Sequence, residues 1–195
     1  MFDYLPVFAT PFFKGHLEVP QGALIYWEEM AATEGRNKSN RGGWQSKECI
    51  GGPFAIELQT YLQKAFPNFD VASMWVNVNR PGDENVPHIH PGSDLAFAWY
   101  LTDSEGLKVQ NPNIFQQFNL LREFSHREGN VYESIDFNFA AGDIVVFPSH
   151  CVHSVNPNSG TTNRVSMSGN LKWNPRTAET NATANQGQLS QALSE

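Results

Sequence analysis

The sequence predicts a mainly β fold, a sandwich or barrel of short strands with helices leading into it. Three observations carry this. From Val71 onward, apolar residues alternate with polar ones or fall in short continuous runs, the spacing of strands rather than helices. Those runs are separated by turn-forming stretches such as PGDEN and AAGD. Helical periodicity is confined to the first third of the chain, and such an order of elements suits helices packed on a sheet.

The first third is mixed and mostly helical. One helix is expected around ALIYWEEMAA and a firmer one over PFAIELQTYLQKAF, where Pro53 suits a first helical position. There Ala55, Leu58, Leu62, Ala65 and Phe66 recur at three-to-four spacing, so one face should pack on a sheet. Between the helices, SNRGGWQS reads as a loop turned by Gly42 and Gly43 and pinned by Trp44.

VASMWVNVN follows, with Ala72, Met74, Val76 and Val78 on one strand face and Ser73, Trp75, Asn77 and Asn79 on the other. After the PGDEN turn comes NVPHIHPGSD, then LAFAWYL, a run that reads as a buried strand. Residues 103–130 are polar and irregular, with NPNIFQQFNLLREF a loop or a short helix. YESIDFNF, DIVVFP and RVSMSGNLKW supply the remaining strands. After Trp173 large apolar residues become scarce, as in a flexible tail. The expected organisation is one domain over 1–173, with a helical part over about 1–70, a β core over about 71–173, and a tail over 174–195. No internal repeat is evident.

The bulk numbers limit the function classes. The chain has 195 residues and a formal charge of −7, from 13 Lys and Arg against 20 Asp and Glu. That gives no broad basic surface for nucleic acid. The opening MFDYLPVFATPFFKGH lacks the basic start of a secretory signal, and no run approaches the roughly 18 apolar residues of a membrane span. A soluble, cytoplasmic protein is expected. Two cysteines, Cys49 and Cys151, are too few for a disulfide framework. The oligomeric state is open, with a homodimer among the options.

Four of the six histidines form two clusters, His88 with His90 and His150 with His153. On extended backbone His88 and His90 point to one face, bracketed by Pro87 and Pro91 as at a strand end. Read alone, they are as well explained as surface histidines at a strand edge. His150 and His153 lie three apart and face opposite ways, so one joins His88 and the other lines the pocket nearby. Arg164, Ser166 and Ser168 share a strand face, and an arginine with a serine there forms a carboxylate receptor. The bland alternative is a surface ion pair. Such parts suit Fe(II) with open positions for a chelating oxoacid and O₂, with three-histidine zinc as the competitor.

Taken together, WVNVNRPGDENVPHIHPGSDL, GDIVVFPSHCVHSV and NRVSMSGN resemble the Fe(II)- and 2-oxoglutarate-dependent oxygenases. Within them the likeness is to a bacterial and phage group with an HxHP…FPS…H…RxS pattern. SNRGGWQS and the opening VFATPF resemble that group as well, so the likeness spans most of residues 6 to 173. It implies a double-stranded β-helix, or jelly-roll, with His88 and His153 as iron ligands and Arg164 with Ser166 on the distal carboxylate of 2-oxoglutarate. The implied reaction consumes O₂ and 2-oxoglutarate, releases succinate and CO₂, and hydroxylates a C–H bond.

Two departures stand out. Where the superfamily commonly has a carboxylate two residues after the first histidine, this chain has His90. Ala96 and Phe97 replace a common serine–glycine pair, a change expected to narrow the pocket. Three options remain for the third ligand: His90, Asp94 or water alone. Asn77 and Tyr100 are candidates for touching the cosubstrate, while Trp75, Asn79 and His150 are candidates for the substrate pocket. Cys151 reads as a buried small residue. The substrate, a small molecule or a peptide or protein side chain, is not named by the sequence. A zinc-dependent jelly-roll hydrolase or lyase, or a non-catalytic jelly-roll binding module, are the alternatives to a dioxygenase.

Overall fold

The computed structural model describes residues 10–112 and 133–175. The expected tail from 176 onward, most of NPNIFQQFNLLREF, and part of the opening VFATPF lie outside the described residues. Two antiparallel sheets face each other. The strands are β1 (Phe13–His16), β2 (Asn40–Arg41), β3 (Trp44–Gln45), β4 (Phe69–Asn79), β5 (Glu84–His88), β6 (Leu95–Tyr100), β7 (Ser104–Gln110), β8 (Ser134–Phe139), β9 (Asp143–Pro148), β10 (His153–Val155) and β11 (Arg164–Trp173). One sheet runs β1-β9-β6-β11-β4-β3 and the other β2-β5-β10-β7-β8. The chain is therefore a jelly-roll. The short β1, β2 and β3 extend its sheets at their edges.

Two helices, α1 (Ala23–Met30) and α2 (Ala55–Ala65), cover the outer face of the larger sheet. Trp27, Leu58 and Leu62 form one apolar cluster with Met74, Val76, Val78, Trp99, Val165 and Met167. A second cluster between the sheets contains Tyr100, Leu107, Phe139, Val145, Phe147 and Cys151. Strand alternation makes this division: on β11 Val165 and Met167 face the helices, while Arg164, Ser166 and Ser168 face the gap between sheets.

Several expectations need correction. The first 70 residues are not a helical subdivision, because β1, β2 and β3 join the two sheets. SNRGGWQS carries the chain from one sheet to the other: Asn40–Arg41 pairs with β5, and Trp44–Gln45 pairs with β4. Gly42, at φ 81°, makes the turn. Trp44 does pin this segment, donating from Nε1 to the Thr33 carbonyl at 3.1 Å. Helix α2 starts two residues after Pro53, capped by Phe54 in a left-handed conformation, and Ala65 is exposed. The polar stretch from 103 contains strand β7, whose alternation is broken by a register shift against β8. Ala72 is exposed rather than part of the apolar face. The β4–β11 register shifts there, with Asn170 opposite Ser73 but Leu171 opposite Val71, so Ala72 is the extra residue of a bulge.

Candidate metal centre

His88 ends β5 and His153 begins β10, and the two are cross-strand partners in the smaller sheet. His90 lies two residues beyond β5, its backbone N–H held by the Ser149 carbonyl at 3.0 Å. One ring nitrogen from each of the three lies within 4.8 Å of the others. Ring centroids are 4.3 Å apart for His88–His153, 5.0 Å for His90–His153 and 5.2 Å for His88–His90. Phe147 meets His153 edge-on at 4.8 Å, and Trp75 lies 5.6 Å from His90.

Each imidazole is oriented through Nδ1. That atom of His88 meets the Val86 carbonyl at 2.8 Å, and that of His153 meets the Cys151 carbonyl at 2.9 Å. In His90 it meets the amide oxygen of Asn170. All three partners are acceptors, so each Nδ1 carries the proton and each Nε2 presents a lone pair. Burial also lowers all three pKa values, that of His153 to about 3. The rings are thus neutral near pH 7, the form that binds metal.

This burial has a consequence for the metal-free protein. Above the ordinary pKa of 6.5, folded and unfolded chains both hold neutral His153. Below it the unfolded chain takes up a proton that the folded chain refuses, so stability falls as pH drops from about 6.5 toward about 3. From His153 alone the slope is up to about 1.4 kcal/mol per pH unit. Urea unfolding of chelator-treated protein from pH 8 to 4 should show the loss, with a shallower slope in His153→Ala. Equal slopes would contradict it.

Asp94 is not at the cluster. Its carboxylate accepts the Trp173 backbone N–H at 2.7 Å and pairs with Lys172 at 3.5 Å. This ties the turn after His90 to the end of β11 and withdraws the carboxylate from the ring nitrogens. His150 is exposed in the turn before β10 and does not border the cavity. The turn between β9 and β10 leaves His150 at the surface, while His153, the first residue of β10, points in.

One cavity connects the histidines to Arg164, bordered also by Trp75, Asn77, Asn79, Tyr100, Ser166 and Ser168. Arg164 is only 6% exposed. Its guanidinium donates to the backbone carbonyls of Glu105 at 3.2 Å, Asp83 at 3.4 Å and Asn156 at 3.0 Å. It has no carboxylate within 4.0 Å among the described residues. The Asp83 charge favours the guanidinium from further off, and a buried cation with no close counter-ion suits an anion beside it. Tyr100 stands beside it; burial raises the phenol pKa while the Arg164 charge acts the other way.

Sequence reading missed three groups here. Ser104 is buried, borders the cavity and leaves its hydroxyl without a partner. Ser39 and Asn85 also border the cavity, in a chain where Asn79 Nδ2 donates to Asn85 and Asn85 Nδ2 to Ser39. The first lies in a stretch that read as irregular, and the others depend on strand pairings with no local signal. Asn77 donates to Ser168 at 3.2 Å, and its amide oxygen has no partner. Phe97, expected to narrow the pocket, borders the cavity while packing in the helix-side cluster with its ring over Gly169.

A jelly-roll with three convergent imidazoles and a buried arginine that has no carboxylate within 4.0 Å among the described residues, all on one cavity, suits a metal-dependent enzyme that takes an anionic ligand. The chain belongs to the 2-oxoglutarate- and Fe(II)-dependent oxygenases: a family model described as "Putative 2OG-Fe(II) oxygenase" matches residues 73–170. It is a 2-oxoglutarate-dependent dioxygenase, using Fe(II), 2-oxoglutarate and O₂. No curated protein sequence matches.

Among solved structures it is similar to HygX from Streptomyces hygroscopicus with nickel and 2-oxoglutarate bound, at TM-score 0.58 and 10% identity over 84% of this chain and 83% of that one. It is similar to a Pseudomonas putida prolyl-4-hydroxylase at 0.54 and 14% over 84% and 93%. It also matches SnoN, a non-heme alpha-ketoglutarate-dependent epimerase from nogalamycin biosynthesis, at 0.60 and 15% over 84% and 76%. At these identities the structures speak for the fold. Among the described residues no helix is long and apolar enough to cross a membrane.

Proposed function

We propose that this oxygenase hydroxylates a C–H bond of an organic substrate, with His88, His90 and His153 holding the iron and Arg164 holding the distal carboxylate of 2-oxoglutarate. The observation that carries the reading is the pairing, in one cavity, of three Nε2 lone pairs with a buried guanidinium that has no carboxylate within 4.0 Å among the described residues. Iron supplies the oxidising chemistry when bound, converting O₂ and 2-oxoglutarate to CO₂ and succinate as the substrate gains one oxygen atom.

The chain's own residues bind and orient. Of the five N–H groups of an arginine, three go to backbone carbonyls here, leaving Nε–H and one on Nη1. Those two do not share an edge of the guanidinium, so a two-pronged grip is not available without displacing a carbonyl. Ser166, Ser104 and Tyr100 border the same cavity, and their hydroxyls complete the receptor. Three neutral ligands leave the ion's charge at +2, which the dianionic cosubstrate balances. Trp75 and the Asn77 amide oxygen face the space that remains for a small molecule or a peptide side chain.

Purified protein with Fe(II), 2-oxoglutarate and air should form succinate slowly without substrate and faster with the right one. Chelator and anaerobic conditions should each abolish it, and ¹⁸O₂ should label the hydroxylated product. Tight metal binding with no affinity for 2-oxoglutarate would contradict the proposal.

A further inference from the structure

We infer that Asn170 is a positioning residue of the metal centre, setting both the orientation and the tautomer of His90. The inference rests on the reading of His90 as third ligand.

The three histidines are not held alike. His88 and His153 each lean on a backbone carbonyl two residues upstream in their own segment. Substitution cannot remove such a partner. His90 lies past the end of β5, before Pro91 and Gly92. Its Nδ1 is held by the side chain of Asn170, 80 residues away on β11 of the other sheet. Asn170 is therefore the side-chain support that ties this imidazole across the gap between the sheets.

The direction of the amide decides what His90 can do. With its oxygen toward Nδ1, Asn170 accepts the ring proton and leaves Nε2 free to ligate. Rotated by 180°, it would donate to Nδ1, put the ring proton on Nε2 and remove the ligating lone pair. The other end of the amide is occupied: Asn170 Nδ2 donates to Ser73 Oγ at 2.7 Å. Ser73 and Asn170 are cross-strand partners, and the β4–β11 register shifts immediately after them. The bulge at Ala72 thus borders the pair that aims the third imidazole.

The test measures Mn(II) affinity of the full-length, metal-stripped protein by competition with a chelator, in wild type, Asn170→Leu, Asn170→Asp, Ser73→Ala and His90→Ala. Asn170→Leu removes the acceptor at similar size and should weaken Mn(II) about 10- to 100-fold. Asn170→Asp keeps an acceptor for Nδ1–H and should bind within about threefold of wild type, or tighter, because a carboxylate partner makes the imidazole more basic. Ser73→Ala removes the hydrogen bond that steadies the Asn170 amide and should weaken binding a few-fold, roughly the low end of that range. Were Asn170→Leu not to fold, the Asp and Ser73 variants carry the same comparison.

Wild-type affinity in Asn170→Leu, with affinity lost in His90→Ala, overturns the inference and leaves the ligand reading intact. Equal weakening in the Leu and Asp variants also overturns it, since the amide would then be only a scaffold. Wild-type affinity in His90→Ala removes the ligand reading and the inference together.

Discussion

In the Arg164→Ala variant, affinity for 2-oxoglutarate is expected to fall by about 2 to 5 kcal/mol, roughly 30- to 5,000-fold, while metal affinity stays within about threefold. The size follows from burial. At 6% exposure no bulk water competes for the ligand's carboxylate, and the three carbonyls around the guanidinium supply dipoles but no neutralising charge. Without Arg164 the carboxylate would enter a site of carbonyl oxygens, which repel it. Arg164→Lys separates charge from shape: an ammonium restores the cation but cannot reach all three carbonyls, so part of the affinity returns. Folding should suffer as well, by about 1 to 3 kcal/mol, because carbonyls from three separate segments lose a donor. Calorimetric titration of the Mn(II)-loaded protein with 2-oxoglutarate reads the binding, and urea unfolding of the same variants reads the stability. Wild-type affinity in Arg164→Ala would mean that another group receives the carboxylate.

What the sequence made legible was whatever depends on alternation within one strand. On β4 the period of two places Trp75, Asn77 and Asn79 on the cavity side and Met74, Val76 and Val78 under the helices. On β11 the same rule groups Arg164, Ser166 and Ser168. It does not reach His150, which sits in the turn between β9 and β10. The rule fails at Ala72, where the bulge inserts one residue. It is silent for β2 and β3, which have two residues each and exist because distant strands receive them. Asp94 shows another limit. A carboxylate four residues from His90 offers the right charge, but a backbone N–H and a lysine at the end of β11 take it first. Asn170 carried no signal, since its role arises from a contact across 80 residues.

The pairing of β11 with β4 joins these findings into one geometry. The inner face of β11 carries Arg164, Ser166, Ser168 and Asn170, and opposite them on β4 stand Asn79, Asn77, Trp75 and Ser73. Arg164 lies at one end of this row and Asn170, which holds His90, at the other. One strand pair therefore fixes the distance from the guanidinium to the third imidazole, and the smaller sheet contributes His88 and His153 to meet it. A cosubstrate that bridges metal and arginine depends on that distance.

His153→Ala should cost the centre its metal altogether, with affinity falling by more than the roughly 100-fold lost when an outer partner is removed. His153 is the most buried of the three histidines, at 5% exposure, and it stands in ring contact with both others and with Phe147. Its removal leaves two imidazoles, too few for three fixed positions around an ion, and opens a void that water enters. Succinate formation should drop to background, since the cosubstrate would keep only its grip on Arg164. The fold should survive, because the β5–β10 ladder is made by backbone groups, and shedding a buried neutral histidine lessens the acid sensitivity described above. Metal content after reconstitution, Mn(II) titration and the midpoint of urea unfolding at pH 7 and pH 5 separate these effects. Full metal occupancy in His153→Ala would place the ion outside the three-histidine cluster, whereas loss of metal in a variant that unfolds like wild type at pH 7 assigns His153 to the centre itself.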